Sequence, residues 1–350
     1  MKAAVFEAFR GPIEIREVEE PSPPPGGVVL RIEANGICRS DWHGWMGHDD
    51  EIALPHVPGH EMAGTVVAKA HGVNGFDVGD RVTVPFVLGC GVCRECASGN
   101  QQICDRQYQP GFSGWGAFSE YVPLPHAEGN LVRLPDSMSF VEAAGLGCRF
   151  STAYRAVVDQ GGVGEGTTVA VWGCGGVGLS AVMIASSLGA TVVAIDIDEA
   201  ALQLAKRFGA THVVLSTEDS DDADIVQDLL DGGAEVSIDA LGSVKTAVSG
   251  ILSLRKRGRY VQVGLMIGPA EKPAIPMWQL HAKEVEMVGV HGMAAWQYPA
   301  MFDMITDGRL TPLDLVTETV GLRRGAAHLE SMHDYPGNGF VVITDFSGDL

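Results

Sequence analysis

Over the first third of the chain, apolar residues come in short runs, often alternating with polar ones. KAAVFEA, PIEIREV, VVLRIEANGI, GTVVAKA and DRVTVPF each read as a strand, and turn-rich stretches such as PSPPPGG separate them. Helical signals are few there. From about Gly166 the texture changes: apolar runs that suit buried strands (TVAVWG, TVVAID, HVVL, VSIDAL, RYVQVGL) take turns with helical patterns ending near Leu188 and running through LQLAKRFGA, DIVQDLL and VSGILSL. Strands separated by helices of this length imply right-handed parallel crossovers, which predicts a doubly wound sheet. Beyond about Gly289 the pattern turns irregular, with a helix near PAMFDMITDG and a last strand at GFVVITDF, and this tail is expected to rejoin the first part. The pattern therefore predicts an α/β chain of two domains, 1–151 with 290–350, and 152–289. It contains no internal repeat and no low-complexity segment.

Composition narrows the class. At 350 residues, with 46% hydrophobic and 19% charged, the chain can bury a large core and lies far from disordered compositions. Its 45 glycines follow no three-residue period and point to tight turns and close backbone approaches. A net charge of −20 works against a nucleic acid backbone as partner, so an anionic ligand has to meet a local positive site. The acidity fits a salty habitat or simple solubility equally well. Glu7 and Arg10 interrupt any apolar signal core, so a cytoplasmic protein is expected. The uncharged run 166–195 is long enough to span a bilayer, but it holds six glycines and changes period midway, so a buried strand, turn and helix is expected instead.

That run carries the first candidate chemistry. Gly173, Gly175 and Gly178 fall between a predicted strand and a predicted helix, and Asp196 closes the next strand. In this setting Gly173 permits a tight turn, Gly175 lets the backbone approach a pyrophosphate, and Gly178 allows close helix packing, while the helix N-terminus supplies positive potential. Asp196 would accept hydrogen bonds from ribose hydroxyls and repel a 2′-phosphate; with no arginine in the DIDEAAL segment, NAD is expected rather than NADP. The competing reading is a glycine-rich turn without a cofactor. Cys174, inside the loop, reads as a small buried filler.

Four further cysteines, Cys90, Cys93, Cys96 and Cys104, lie in one glycine-containing loop, GCGVCRECASGNQQIC. Four thiolates at this spacing can close a tetrahedron around a structural zinc, and the two-residue gaps suit a metal better than two crossed disulfides. Cys38, His60 and Cys148 are too far apart in sequence for spacing to join them. A shared metal and, for each alone, a hydrogen-bonded core histidine or a buried thiol both remain open on the pattern.

The chain resembles the zinc-containing medium-chain alcohol dehydrogenases over nearly its whole length. GICRSDWHG, PGHEMAG, GDRV, the four-cysteine loop, FSEYV, GLGCRFSTAY and GCGGVG follow in the family's order. The resemblance implies a GroES-like β-barrel catalytic domain and a Rossmann domain, with the active site in the cleft facing the nucleotide domain. It implies Cys38, His60 and Cys148 as catalytic zinc ligands with a fourth position for water or alcohol, Asp41 as the carboxylate that orients the histidine, and Glu61 close behind the metal. Ser40 and His43 become the proton route, and Arg39, Thr152, Gly176 and Val177 join the glycines and Asp196 as cofactor contacts. Near the C-terminus, where many relatives carry an arginine that reaches the pyrophosphate, this chain offers Phe340, which calls into question how tightly NAD is held.

The implied pocket positions are Trp45, Phe86, Phe112, Trp115, Met266 and His291, bulky and mostly apolar. Such a lining favours medium-chain or aromatic alcohols over polyols, which need polar partners once desolvated. Polyol-oxidising relatives also often carry glutamate where this chain has Cys148. The spacing from Cys104 to Cys148 lacks the extra segment of the dimeric animal and plant enzymes, and a homo-tetramer is expected. The competing functions are a zinc polyol, amino-alcohol or formaldehyde dehydrogenase, a zinc-free quinone reductase, and a catalytically silent cofactor-binding protein.

Overall fold

The computed structural model describes residues 1–334 and 337–348, and among them no helix is long and apolar enough to cross a membrane. They form two compact units, Met1–Ser151 with Gly292–Leu350, and Thr152–His291.

The second unit is a six-stranded sheet in the order His212–Leu215, Thr191–Asp196, Thr168–Trp172, Ala234–Asp239, Leu254–Gln262, Glu286–Gly289, parallel throughout. Its strand order reverses between Thr168–Trp172 and Ala234–Asp239, and in doubly wound sheets such a switch point is where the chain leaves room for a ligand beyond the strand ends. The central strands are β-branched and apolar because both their faces are covered; Val169, Val171, Val192, Val193 and Ile238 have no exposed surface. The uncharged run divides here into a strand, a turn, the helix Gly176–Ser187 and a second strand. The sequence pattern did not reveal the strand Glu286–Gly289. It lies at the sheet edge with mostly exposed side chains, so it carries no apolar run to read.

The first unit is built on a seven-stranded sheet around Val28–Gly36, which pairs antiparallel with Glu61–Lys69, Tyr121–Leu124 and Phe340–Asp345. Phe340–Asp345 reaches this strand at Val342↔Gly36 and Ile343↔Asn35, so the tail is part of the sheet. It also pairs in parallel with Val316–Gly321, through the helix Leu322–Ser331. Neither of these last two elements was visible in the pattern; in the strand, VTETVG, three exposed polar residues separate the two valines and leave no alternation to read. A second departure matters more: CRSDWHG, in a region read as strands and turns, forms the helix Arg39–Trp45 with Cys38 at its N-cap.

Candidate metal and dinucleotide sites

Cys38 lies two residues past one strand, at the N-cap of the helix Arg39–Trp45, His60 immediately precedes the next strand, and Cys148 is the last residue of the turn before the helix Arg149–Arg155. Sheet pairing of Gly36 with Glu61 brings the first two together. One ligand atom from each of Cys38, His60 and Cys148 lies within 4.8 Å of the others. The Asp41 carboxylate organises this group. Its Oδ2 accepts the Cys38 backbone N–H at 3.1 Å, and its Oδ1 accepts the Gly59 N–H at 2.9 Å and the His60 Nδ1–H at 2.7 Å. With Nδ1 committed as donor, Nε2 keeps its lone pair; that atom is buried and has no hydrogen-bond partner. An orphaned imidazole nitrogen beside two thiols is costly unless a cation takes it, and two sulfurs plus one nitrogen suit zinc.

The electrostatics favour a cation. The hydrogen bond with Cys148 holds the Cys38 thiol well below its ordinary range despite burial, and the same bond, with burial, pushes Cys148 well above it. Burial opposes charge on His60, but Asp41 and Cys38 outweigh it and raise its pKa. Asp41 and Cys38 thus favour a positive charge at this position, which a metal cation would supply.

Behind the group, Glu61 is fully buried and paired with Arg149. The Arg149 backbone N–H and Nε both reach Glu61 Oε1, at 2.8 and 2.9 Å, and a terminal nitrogen reaches Oε2. The guanidinium also lies 3.9 Å over the Phe340 ring. Gly36 is a glycine because a Cβ there would stand 2.3 Å from Glu61 Oε2. Phe340 itself has no exposed surface, so its side chain is core, packed beneath Arg149, and offers nothing to a ligand. Sequence reading missed Arg149; its signal was a lone charge in the apolar run AAGLGCRF.

Of the pocket candidates, Phe112 and Phe86 stand beside the metal group, with ring centroids 5.2 and 6.2 Å from that of His60. Trp45 packs with Phe6, Ile52 and Phe112 and donates its indole N–H to Gly11 O, while Trp115 donates to Pro55 O. Met266 and His291 belong to the second unit, where Met266 packs against the sheet core. His43 meets His48 across their Nδ1 atoms at 3.0 Å, and Arg39 donates to Met332 O and lies 4.3 Å over the Trp42 ring. Ser40 Oγ is 3.8 Å from Cys38 Sγ.

The other four cysteine sulfurs also lie within 4.8 Å of one another. All seven cysteines are free thiols. Backbone N–H groups of Cys90 and Arg106 point at Cys104 Sγ at 3.3 Å, that of Cys96 at Cys93 Sγ at 3.5 Å, and the Arg106 side chain at Cys90 Sγ. Donors aimed at sulfur favour thiolates, the form in which cysteine binds metal.

In the second unit, Gly173 has φ +91, and a Cβ on Gly178 would stand 1.7 Å from Gly173 O, so both glycines are required by the fold itself. Gly175, the N-cap of the helix Gly176–Ser187, differs: a Cβ there would meet nothing within 4 Å. The fold leaves that side open where Gly176, Val177 and Gly178 begin the helix, a cradle suited to a pyrophosphate. Asp196 accepts backbone N–H groups of Cys174 and Asp198, which fixes it at the strand end beside the loop. Thr152 Oγ1 is buried without a partner. The Cys174 thiol is buried and its pKa raised far above the ordinary range, as expected for a filler.

Comparison with known proteins gives the family. Residues 24–136 match the alcohol dehydrogenase GroES-like domain, and residues 176–307 match the zinc-binding dehydrogenase domain. The chain belongs to the zinc-dependent medium-chain alcohol dehydrogenases. As a member of this family it is an oxidoreductase, with a GroES-like unit and a Rossmann-like unit. It is 37% identical to an alcohol dehydrogenase of Geobacillus stearothermophilus over 83% of this chain and 84% of that one. It is 32% identical to an NAD-dependent alcohol dehydrogenase of Sulfurisphaera tokodaii over 98% and 99%. Among solved structures, the alcohol dehydrogenase TADH from Thermus sp. ATN1 superposes with a TM-score of 0.89 at 29% identity, covering 99% of this chain and all of that one.

Proposed function

We propose that this protein is an NAD-dependent zinc alcohol dehydrogenase that oxidises medium-chain or aromatic alcohols to aldehydes or ketones. The observation that carries the reading is the buried set Cys38, His60 and Cys148, with His60 Nε2 left without a partner. Zinc bound there would act as a Lewis acid on the alcohol oxygen and lower its pKa, and NAD would take the hydride. Asp41 holds the His60 ring in the tautomer that presents Nε2. Phe86 and Phe112 exclude water beside the ligands, which strengthens any charge interaction there. Ser40 accepts the hydroxyl proton as its own hydroxyl proton passes on, and His43, one helical turn further along, hands a proton on toward solvent. The glycine loop and Asp196 hold the dinucleotide, and the Asp196 carboxylate disfavours a 2′-phosphate. Cys90, Cys93, Cys96 and Cys104 hold a second, structural zinc, and the chain assembles as a homo-tetramer.

The test is NADH formation from benzyl alcohol, hexanol, 2,3-butanediol and threonine in parallel, with zinc analysis and size-exclusion chromatography of the same preparation. Two zincs per chain, turnover of the first two alcohols and a four-chain mass are expected. Preference for the diol or for threonine would move the reading to a polyol or amino-alcohol dehydrogenase, and one zinc with no alcohol oxidation would end it.

A further inference from the structure

The helix Arg39–Trp45 does not simply stop. Gly47, at φ +78, takes the left-handed position, the Gly47 N–H donates to Gly44 O, and the His48 N–H donates back to His43 O at 3.0 Å. This pair of bonds is the Schellman ending, and its geometry brings together the side chains of the two residues joined by the longer bond. Those positions usually share an apolar contact. Here both are histidine, and their Nδ1 atoms meet at 3.0 Å.

Two imidazole nitrogens at that distance hold together only with one proton between them; two lone pairs, or two N–H groups, would repel. Both rings are braced by Trp42, whose ring meets them edge to face at 5.0 Å for His43 and 5.9 Å for His48. Arg39 and His333 lie against the same indole, at 4.3 and 6.2 Å. His43 is half-buried and His48 exposed. Burial, then the neighbouring His48 and Arg39, bring the His43 pKa down to about 4, with Cys38 acting in the opposite sense. A proton that reaches His43 is therefore not kept there.

We propose that His48 is the outer carrier of the proton path, and that the contact between the two Nδ1 atoms is the step by which the proton reaches solvent. The proposal rests on the dehydrogenase reading, in which each alcohol oxidised releases one hydride to NAD and one proton. That proton enters at His43 Nε2, the proton on His43 Nδ1 crosses to His48 Nδ1, and the proton on His48 Nε2 passes to water. One proton enters and one leaves, and the pair exchanges only its tautomers before the next cycle.

The experiment uses zinc- and NAD-loaded enzyme at low buffer concentration. First-turnover NADH formation is followed against pH in the parent, His48→Gln and His48→Asn, with and without added imidazole. A loss of about tenfold in both variants is expected, within the range that positioned proton carriers contribute. The loss should deepen as pH falls, imidazole should restore it, and KM for NAD and the melting temperature should stay unchanged. A parent-like rate and pH profile in the variants would overturn the proposal. So would a loss that imidazole does not repair, because His48 would then only brace the helix end. If the parent itself oxidises no alcohol, the dehydrogenase reading fails first, and the two failures remain distinct.

Discussion

Asp41 is buried and accepts three hydrogen bonds, and one of them decides which nitrogen His60 presents. Asp41→Asn keeps the shape but loses charge and one acceptor, and is expected to weaken zinc at the Cys38 site about 10- to 100-fold, measured by chelator competition. Cys38→Ser should leave one zinc per chain and remove alcohol oxidation. At Glu61 and Arg149 the issue is stability: removing one partner of a buried ion pair strands the other charge. Arg149→Met is therefore expected to cost about 3–5 kcal/mol in urea unfolding, and the double variant Glu61→Gln/Arg149→Met should recover part of that loss. If the single variant cost no more than a surface substitution, the pair would be of no consequence to folding.

At the scale of elements, the glycine loop separates what the fold needs from what a ligand needs. Gly178→Ala would drive a Cβ into Gly173 O and force helix and strand apart, so it should lower the melting temperature sharply. Gly175→Ala meets no protein atom and should leave the melting temperature within about 1 °C of the parent, while raising KM for NAD at least about tenfold, since the backbone is meant to lie against the pyrophosphate. Equal effects of the two substitutions on stability would contradict that division of roles. The element the pattern misread is equally instructive. A seven-residue helix is too short to show a 3.6-residue period, so Arg39–Trp45 was hidden among strands, although it carries Ser40, Asp41 and His43.

Across the whole molecule, burial lowers the pKa of His43, His56 and His328. Each takes up a proton more readily in the unfolded chain, near pH 6.5, than in the fold. The stability they contribute is present above that pH and is lost as pH falls below it. Unfolding followed by denaturant between pH 7 and pH 5 should show this decline, and His56→Asn should make it shallower. The net charge of −20 adds self-repulsion that salt screens, so the melting temperature should rise between low salt and about 0.5 M sodium chloride.

The chain pattern by itself determined the doubly wound unit, the glycine loop with Asp196, and the four-cysteine loop, because each depends on neighbours within a few dozen residues. It also showed that the tail returns. Tertiary structure alone decided that Cys38, His60 and Cys148 meet, since sheet pairing between Gly36 and Glu61 and a turn more than eighty residues later bring them together. It alone placed Arg149 between Glu61 and the Phe340 ring, and closed a helix end so that the Nδ1 atoms of His43 and His48 meet. The physical reason is the same in each case: periodicity records which face is buried, whereas contact between distant side chains depends on strand register and turn geometry, which periodicity does not encode.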